Sequence, residues 1–101
     1  MGELGSDKMK KLLFILNPRS GKGQIKNQLL EIVNIFQRNG YQVQLHITQE
    51  PLDAKNIVME IGEQFDRIVC SGGDGTLNET VSGLMEAELQ IPLGYIPSGS
   101  T

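Results

Sequence analysis

Five residues, Gly72-Gly73-Asp74-Gly75-Thr76, join a short apolar run to a helical pattern. Three glycines in four positions let the backbone come close to an anion and turn its N–H groups toward it. We expect the following helix to begin at about Thr76, so that its unpaired N–H groups and its positive dipole end face the same place. A turn that only needed a cap from Asp74 or Thr76 would require one glycine. The spacing therefore predicts a phosphate-binding turn.

A second glycine-rich turn, Asn17-Pro18-Arg19-Ser20-Gly21-Lys22-Gly23, follows the apolar run Leu12–Leu16. Its proline fixes the backbone direction and its glycines open the turn for close contact. Its asparagine and serine can hydrogen-bond phosphate or the opposing turn, and its arginine and lysine add positive charge. It is not a Walker A loop, which requires glycine where Leu16 stands. Neither turn is a dinucleotide fingerprint, because Lys26 and Asn78 occupy the position of the third glycine.

The net charge of −3 conceals an uneven distribution. Six of the nine basic residues precede Glu31: Lys8, Lys10, Lys11, Arg19, Lys22 and Lys26. They are either a solvated face or, since three of them flank the second turn, part of an anion site. The acidic balance argues against a nucleic-acid partner.

Apolar periodicity predicts the element order β-α-β-α-β-α-β. Strands are expected at 12–16, 43–47, 68–70 and 93–96, with helices at 24–38, from 54 to 65 and from about Thr76. This order favours an α/β fold, a three-layer α/β/α arrangement with a parallel Rossmann-like sheet of about four strands. The polar alternation in 43–47 suggests an edge strand with His46 on its solvated face. The strand order stays open, but every strand-end turn opens at the carboxyl edge, where ligands bind.

The stretch Gly72–Glu79 resembles the signature of the diacylglycerol kinase catalytic-domain family, which includes bacterial soluble lipid kinases and sphingosine and ceramide kinases. NAD kinases and phosphofructokinases share its Gly-Gly-Asp-Gly part. Three further segments are similar to the family: Asn17–Gly23, Thr48 with Asp53-Ala54, and Leu93–Gly99. The resemblance runs from residue 10 to 101. Ser100 stands where the family usually has threonine, and the Asn-Asp pair that would come next lies beyond Thr101.

The resemblance implies an ATP-dependent kinase that phosphorylates a lipid hydroxyl. It implies an ATP site lined by Asn17, Pro18, Arg19, Ser20, Gly21, Thr48, Gly72, Gly73, Asp74, Gly75, Thr76, Leu77, Asn78 and Ser100. Asp74 would organise the phosphates and Mg²⁺, directly or through water. Glu79 could serve either a structural role or the ligand. No catalytic residue is assigned, because the family carries its general base and lipid site in a larger β-rich lobe.

Residues 1–8 are expected to be a flexible extension and 9–101 the nucleotide-binding lobe of a lipid kinase, truncated before the lipid-binding lobe. We expect a cytoplasmic protein, since it has a single cysteine, Cys70, and no apolar run near the roughly 20 residues of a membrane span. The expected partners are ATP, a lipid reached through the missing lobe, and transiently a membrane surface. An exposed sheet edge leaves room for a homodimer. The alternatives are an NAD kinase-like lobe and a free-standing nucleotide-binding module without turnover.

Overall fold

The computed structural model describes residues 9–19 and 24–97. Within these ranges the strands are β1 (Lys10–Leu16), β2 (Tyr41–Ile47), β3 (Arg67–Gly72) and β4 (Leu93–Pro97). The α-helices are α1 (Gln24–Arg38), α2 (Asp53–Ile61) and α3 (Asp74–Glu86), and each lies between two consecutive strands. The expected β-α alternation is therefore confirmed.

The strands form one parallel sheet in the order β2-β1-β3-β4. The two central strands are paired on both sides, with Phe14 of β1 opposite Leu45 of β2 and Val69 of β3. All strands point the same way, so the loops at their carboxyl ends meet along one edge of the sheet. The order, which the sequence did not determine, places the ends of β1 and β3 side by side.

Helix α1 covers one face of the sheet. Leu12, Phe14 and Val69 are buried there beneath apolar side chains of α1. Phe36 packs edge-on against Phe14, with 6.1 Å between the ring centroids. Apolar residues at helical spacing give α1 a single apolar stripe, and burying that stripe holds the helix against the sheet.

Helices α2 and α3 cover the opposite face, which completes the three predicted layers. Leu13, Ile15 and Ile68 of the sheet are fully buried there with Val58 of α2. Gly83 lets the two helices approach closely, because a Cβ at this position would lie 2.8 Å from the backbone oxygen of Lys55. Cys70 is buried at 0% exposure on this face, as expected for a packing residue.

Two details differ from the expected elements. Helix α2 ends at Ile61 and a 3₁₀ turn, Gly62–Gln64, follows, so that Phe65 is buried outside the helix. The helix predicted from 54 to 65 was therefore too long, because its last apolar residue, Phe65, is buried from a position after the 3₁₀ turn. On β2, an edge strand as predicted, Leu45 and Ile47 remain 39% and 40% exposed, whereas His46 is half-buried.

In the described ranges, we find no helix that combines the length and apolar character needed to cross a membrane.

Candidate functional site

A cleft of about 240 Å³ opens at the carboxyl edge of the sheet. It lies where the loops after β1 and β2 face the first two turns of α3. Its lining residues are Asn17, Arg19, Thr48, Gln49, Glu50, Pro51, Gly75, Thr76 and Glu79. The cleft therefore brings together segments that are far apart in the sequence.

The sheet itself places the first residue of each loop. The backbone N–H of Asn17 donates to the carbonyl of Ser71 over 3.0 Å, and that of Thr48 donates to the carbonyl of Leu16 over 2.9 Å. Both bonds continue the pairing between neighbouring parallel strands by one residue. Asn17 and Thr48 consequently enter the cleft from fixed positions.

The side-chain amide of Asn17 joins the two glycine-rich turns. Its oxygen accepts a hydrogen bond from the backbone N–H of Arg19 over 3.0 Å, and its nitrogen donates to the hydroxyl of Thr76 over 3.2 Å. Of the two partners that the sequence suggested for Asn17, phosphate and the opposing turn, the structure shows the opposing turn. This bond positions Arg19 and Thr76 on neighbouring walls of the cleft.

Gly72 is required by the protein's own packing. It has φ +157°, and a Cβ at this position would lie 2.5 Å from the Thr76 hydroxyl and 3.1 Å from the Asn17 Cβ. The absence of a side chain lets the two turns touch. The sequence assigned all the glycines of this turn to ligand approach, and the structure gives Gly72 a structural reason instead.

Gly75 differs from Gly72. A Cβ at Gly75 would meet no atom of the described chain within 4 Å, and the residue lines the cleft. Glycine inside a helix costs stability relative to alanine, and the neighbouring side chains give no packing reason for it. The glycine keeps the cleft wall flat at the start of α3.

Helix α3 begins at Asp74 and not at Thr76, as the sequence had suggested. Gly73 is the N-cap and provides no side-chain cap, while its carbonyl accepts the N–H groups of Thr76 and Leu77 over 3.1 and 3.2 Å. Asp74 is thus the exposed first residue of the helix, where the dipole favours a carboxylate. The earlier start makes Gly75 the second residue of the helix, so that the positive end of the helix lies at this wall of the cleft.

Glu79 supports the cleft from α3. It is the sixth residue of the helix and lies in its second turn. One of its carboxylate oxygens accepts a hydrogen bond from the backbone N–H of Leu52 over 3.1 Å. The structure therefore shows a structural contact for Glu79 while the residue also lines the cleft.

Asp53 holds the other side of the same loop. Its carboxylate accepts the backbone N–H of Gln49 over 2.7 Å and lies 3.1 Å from Nε2 of His46. Burial opposes ionisation of Asp53, but the hydrogen bonds from Gln49 and His46 and the charge of the imidazole together lower its pKa. His46 is therefore a half-buried partner of Asp53, and the expectation of a solvated strand residue was wrong.

Five residues that the sequence assigned to the site line the cleft: Asn17, Arg19, Thr48, Gly75 and Thr76. Pro18, Gly72, Gly73, Asp74, Leu77 and Asn78 do not line it. Leu77 packs against the core beneath α3, because a helix that covers a sheet must bury one face. Asn78 is exposed. Ser20, Gly21 and Ser100 lie outside the described residues.

Sequence reasoning missed Gln49, Glu50 and Pro51, which form the wall opposite α3. Their only signal was their position directly after Thr48. For the N-terminal cations the sequence left open a solvated face and an anion site; Lys10 and Lys11 are exposed at the start of β1, the sheet edge opposite the cleft, whereas Arg19 lines the cleft. The backbone N–H of Lys11 bonds to Asp66, and its ammonium lies 5.6 Å from the centre of the Phe65 ring.

The residues near the cleft fit Mg²⁺ only as a metal that arrives with phosphate. Among the described residues, no three His, Cys, Asp or Glu side chains come together to hold a metal ion. Mg²⁺ commonly keeps several waters and binds one or two carboxylates together with substrate phosphates. An exposed carboxylate at the helix start, Asp74, meets that requirement.

Comparisons with known proteins identify the family to which the chain is similar. A family model described as the diacylglycerol kinase catalytic domain matches residues 11–101. A diacylglycerol kinase of Bacillus subtilis (strain 168) is 38% identical over 94 residues, and sphingosine kinase B of Dictyostelium discoideum is 34% identical over 102 residues. A crystal structure of a diacylglycerol kinase from Bacillus anthracis str. Sterne has a TM-score of 0.79 and 33% identity to this chain.

The matches cover most of this chain but a minor part of each relative. They include 92% of this chain and 31% of the Bacillus subtilis protein, and 95% of this chain and 13% of the Dictyostelium protein. The match to the Bacillus anthracis structure covers 91% of this chain and 31% of that protein. The chain thus spans about a third of the length of the bacterial relatives.

Proposed function

This chain belongs to the diacylglycerol kinase catalytic-domain family, and from that premise we propose that it is the ATP-binding lobe of a lipid kinase. The reaction is transfer of the γ-phosphoryl group of ATP to a lipid hydroxyl. The cleft would hold the nucleotide, with its phosphates at the start of α3. The acceptor lipid would bind in a further part of a longer protein, as the lengths of the relatives suggest.

One observation supports the nucleotide assignment most directly. At Gly75 the helix carries no side chain, no described atom requires that absence, and the residue lines a cleft at the positive end of α3. A phosphate that contacts the backbone would account for the glycine. Arg19 lines the same cleft and adds a positive charge.

Phosphoryl transfer depends mainly on positioning and on neutralising charge. In this proposal, the start of α3 and Arg19 bind the phosphates, and the Asn17–Thr76 bond keeps the two walls in register. Thr48 and the segment after it form the opposite wall. Mg²⁺, when bound with the nucleotide through Asp74, supplies further neutralisation of phosphate charge.

The remaining parts of the proposal concern the parent protein. We propose a cytoplasmic enzyme that touches a membrane surface transiently to reach its lipid. The family match favours a lipid kinase over an NAD kinase-like lobe. Because β2 and β4 are the outer strands of the described sheet, a homodimer would pair through one of these edges. Size-exclusion chromatography with light scattering tests the dimer.

Titration of the ¹⁵N-labelled chain with ATP, with and without Mg²⁺, tests the nucleotide site. We expect the backbone amide signals of Thr48, Gly75 and Thr76 to shift. Asp74→Asn should remove the effect of Mg²⁺ and leave the fold intact. Asp66→Asn, at the opposite edge of the sheet, should behave like the wild type. Amides that do not respond to millimolar ATP would overturn the nucleotide assignment.

A transfer assay tests the proposed location of the acceptor site. The chain is incubated with radiolabelled ATP and vesicles that contain diacylglycerol or sphingoid bases. We expect no labelled lipid, because the acids that line the cleft, Glu50 and Glu79, lie at the proposed nucleotide rather than beside an acceptor. Label above background would place an acceptor site within these residues. Adding NAD as the acceptor in a parallel reaction tests the NAD kinase-like alternative.

A further inference from the structure

Tyr95 makes a hydrogen bond to the start of the glycine-rich turn. Its hydroxyl donates to the carbonyl oxygen of Gly72 over 3.0 Å. Tyr95 lies on β4 in register with Cys70, and it packs partly buried against the core formed by α2, α3 and the sheet. Residues two apart on a strand share a face, so the ring lies along β3 and its hydroxyl reaches the end of that strand.

The bond acts on the peptide group between two glycines. Neither Gly72 nor Gly73 carries a Cβ, and glycine adopts backbone angles that other residues avoid. The backbone angles beside such a peptide are intrinsically less restricted than those of residues with a Cβ, so contacts with the surrounding fold determine its orientation. A hydroxyl bonded to the Gly72 carbonyl favours one orientation of this peptide.

That orientation also determines the direction of the next N–H group. In the described part of the chain every peptide is trans, and in a trans peptide the C=O and N–H groups point to opposite sides. The Gly72 carbonyl turns toward Tyr95 on β4. The Gly73 N–H is consequently directed to the other side of β3, where β1 and Asn17 lie.

We propose that Tyr95 is a positioning residue for phosphate, which orients the Gly72–Gly73 peptide through its hydroxyl without touching the nucleotide. This inference rests on the proposed function, since the oriented peptide is the first peptide of the turn that would receive the phosphate. A side chain on β4, outside the turn and outside the cleft lining, thereby tunes the affinity of the site.

The test compares two matched substitutions, Tyr95→Phe and Tyr41→Phe. Each removes one part-buried hydroxyl and retains the ring; the Tyr41 hydroxyl accepts a hydrogen bond from Nε of Arg67 over 3.1 Å, away from the turn. Three quantities are measured on the whole chain: the midpoint of thermal unfolding, the Gly73 amide signal without ligand, and the affinity for Mg²⁺–ATP.

We expect both variants to lose similar stability. Only Tyr95→Phe should shift or broaden the Gly73 amide signal, and only it should weaken Mg²⁺–ATP binding, by roughly 3- to 10-fold, as expected for one neutral hydrogen bond. An unchanged Gly73 signal, or an equal loss of affinity in both variants, would overturn the role of Tyr95.

The design separates the two proposals. If the wild-type chain binds ATP and Tyr95→Phe binds it equally well, the inference on Tyr95 fails and the nucleotide site stands. If the wild-type chain binds no nucleotide, the proposed function fails and the role in phosphate binding fails with it. The ligand-free Gly73 signal then still shows whether the Tyr95 hydroxyl orients the peptide.

Discussion

A carboxylate oxygen of Glu79 lies 3.1 Å from the backbone nitrogen of Leu52 and accepts its hydrogen. Leu52 precedes α2 with φ 71° and ψ 0°, a left-handed conformation that costs a residue with a side chain roughly 1–2 kcal/mol. The bond therefore joins α3 to a strained residue in the loop that forms the opposite wall of the cleft. The bond thus connects a residue that lines the cleft, Glu79, to the loop on the other side of the cleft.

Glu79→Ala should loosen the loop between β2 and α2. We expect faster hydrogen exchange at the Leu52 amide and weaker Mg²⁺–ATP binding by up to about tenfold, because one hydrogen bond is lost. Glu79→Gln retains an acceptor oxygen and should have a smaller effect. Glu86→Ala is the control, since it loses a surface ion pair with Lys55 near the end of α3. Unaltered hydrogen exchange at the Leu52 amide in Glu79→Ala would show that the Glu79–Leu52 hydrogen bond does not hold the loop.

Gly75→Ala should separate stability from binding. We expect the free chain to gain about 0.5–1 kcal/mol in its free energy of unfolding, because alanine is favoured over glycine in a helix and the added methyl meets no described atom. Affinity for Mg²⁺–ATP should fall, because the methyl occupies the cleft wall. Urea unfolding and nucleotide titration on one preparation measure both effects.

Gly83→Ala provides the contrast within the same helix. Its methyl would lie 2.8 Å from the Lys55 carbonyl, so α2 and α3 must move apart and the free energy of unfolding should fall. Nucleotide affinity should change less than in Gly75→Ala, since Gly83 is remote from the cleft lining. If Gly75→Ala binds nucleotide as well as the wild type, the glycine is not reserved for a ligand.

The layers of the fold and the edge that carries the site follow from the sequence. Helical and strand periodicities differ clearly here, and a β-α alternation allows few arrangements. The prediction that Asn17, Thr48 and the Gly75–Thr76 segment share one edge needed only the rule that parallel strands end together. These are properties of regular elements, which sequence patterns describe well.

What the sequence could not show depends on contacts between segments. The roles of Gly72 and Gly75 look the same in the sequence, yet only Gly72 touches Thr76 and Asn17. The half-burial of His46 requires Asp53 to turn back from the start of α2. Tyr95 is an ordinary strand residue until the pairing of β3 with β4 brings its hydroxyl to Gly72.

The lowered pKa of Asp53 predicts a pH dependence of stability. A carboxyl whose pKa is lower in the folded state stabilises the fold when ionised. Its contribution is complete above the ordinary value of 3.8 and is lost as the pH falls through the lowered folded value. Asp53→Asn should therefore flatten the fall in unfolding free energy below about pH 4. Identical acid profiles for the variant and the wild type would contradict this prediction.

Glu88→Gly should stabilise the end of α3. Glu88 has φ 56°, and the residues around it form a left-handed helix terminus in which Leu89 N–H bonds to Leu84 C=O over 2.9 Å. Glycine adopts this conformation without the Cβ penalty, so the free energy of unfolding should rise by about 1 kcal/mol. The melting temperature should then increase by roughly 4–8 °C. A lower melting temperature would show that the Glu88 side chain contributes more than its strain costs.

Because Cys70 is buried, its reaction with an alkylating reagent can report on the opening of the folded chain. It is the single cysteine of the chain, it is 0% exposed, and burial raises the pKa of its thiol. An alkylating reagent can react only after the sheet has opened and the thiolate has formed. The alkylation rate of the unmodified protein, followed by mass, therefore reports on the opening that exposes Cys70. Any ligand that binds only the folded chain would slow that rate in proportion to its affinity and concentration.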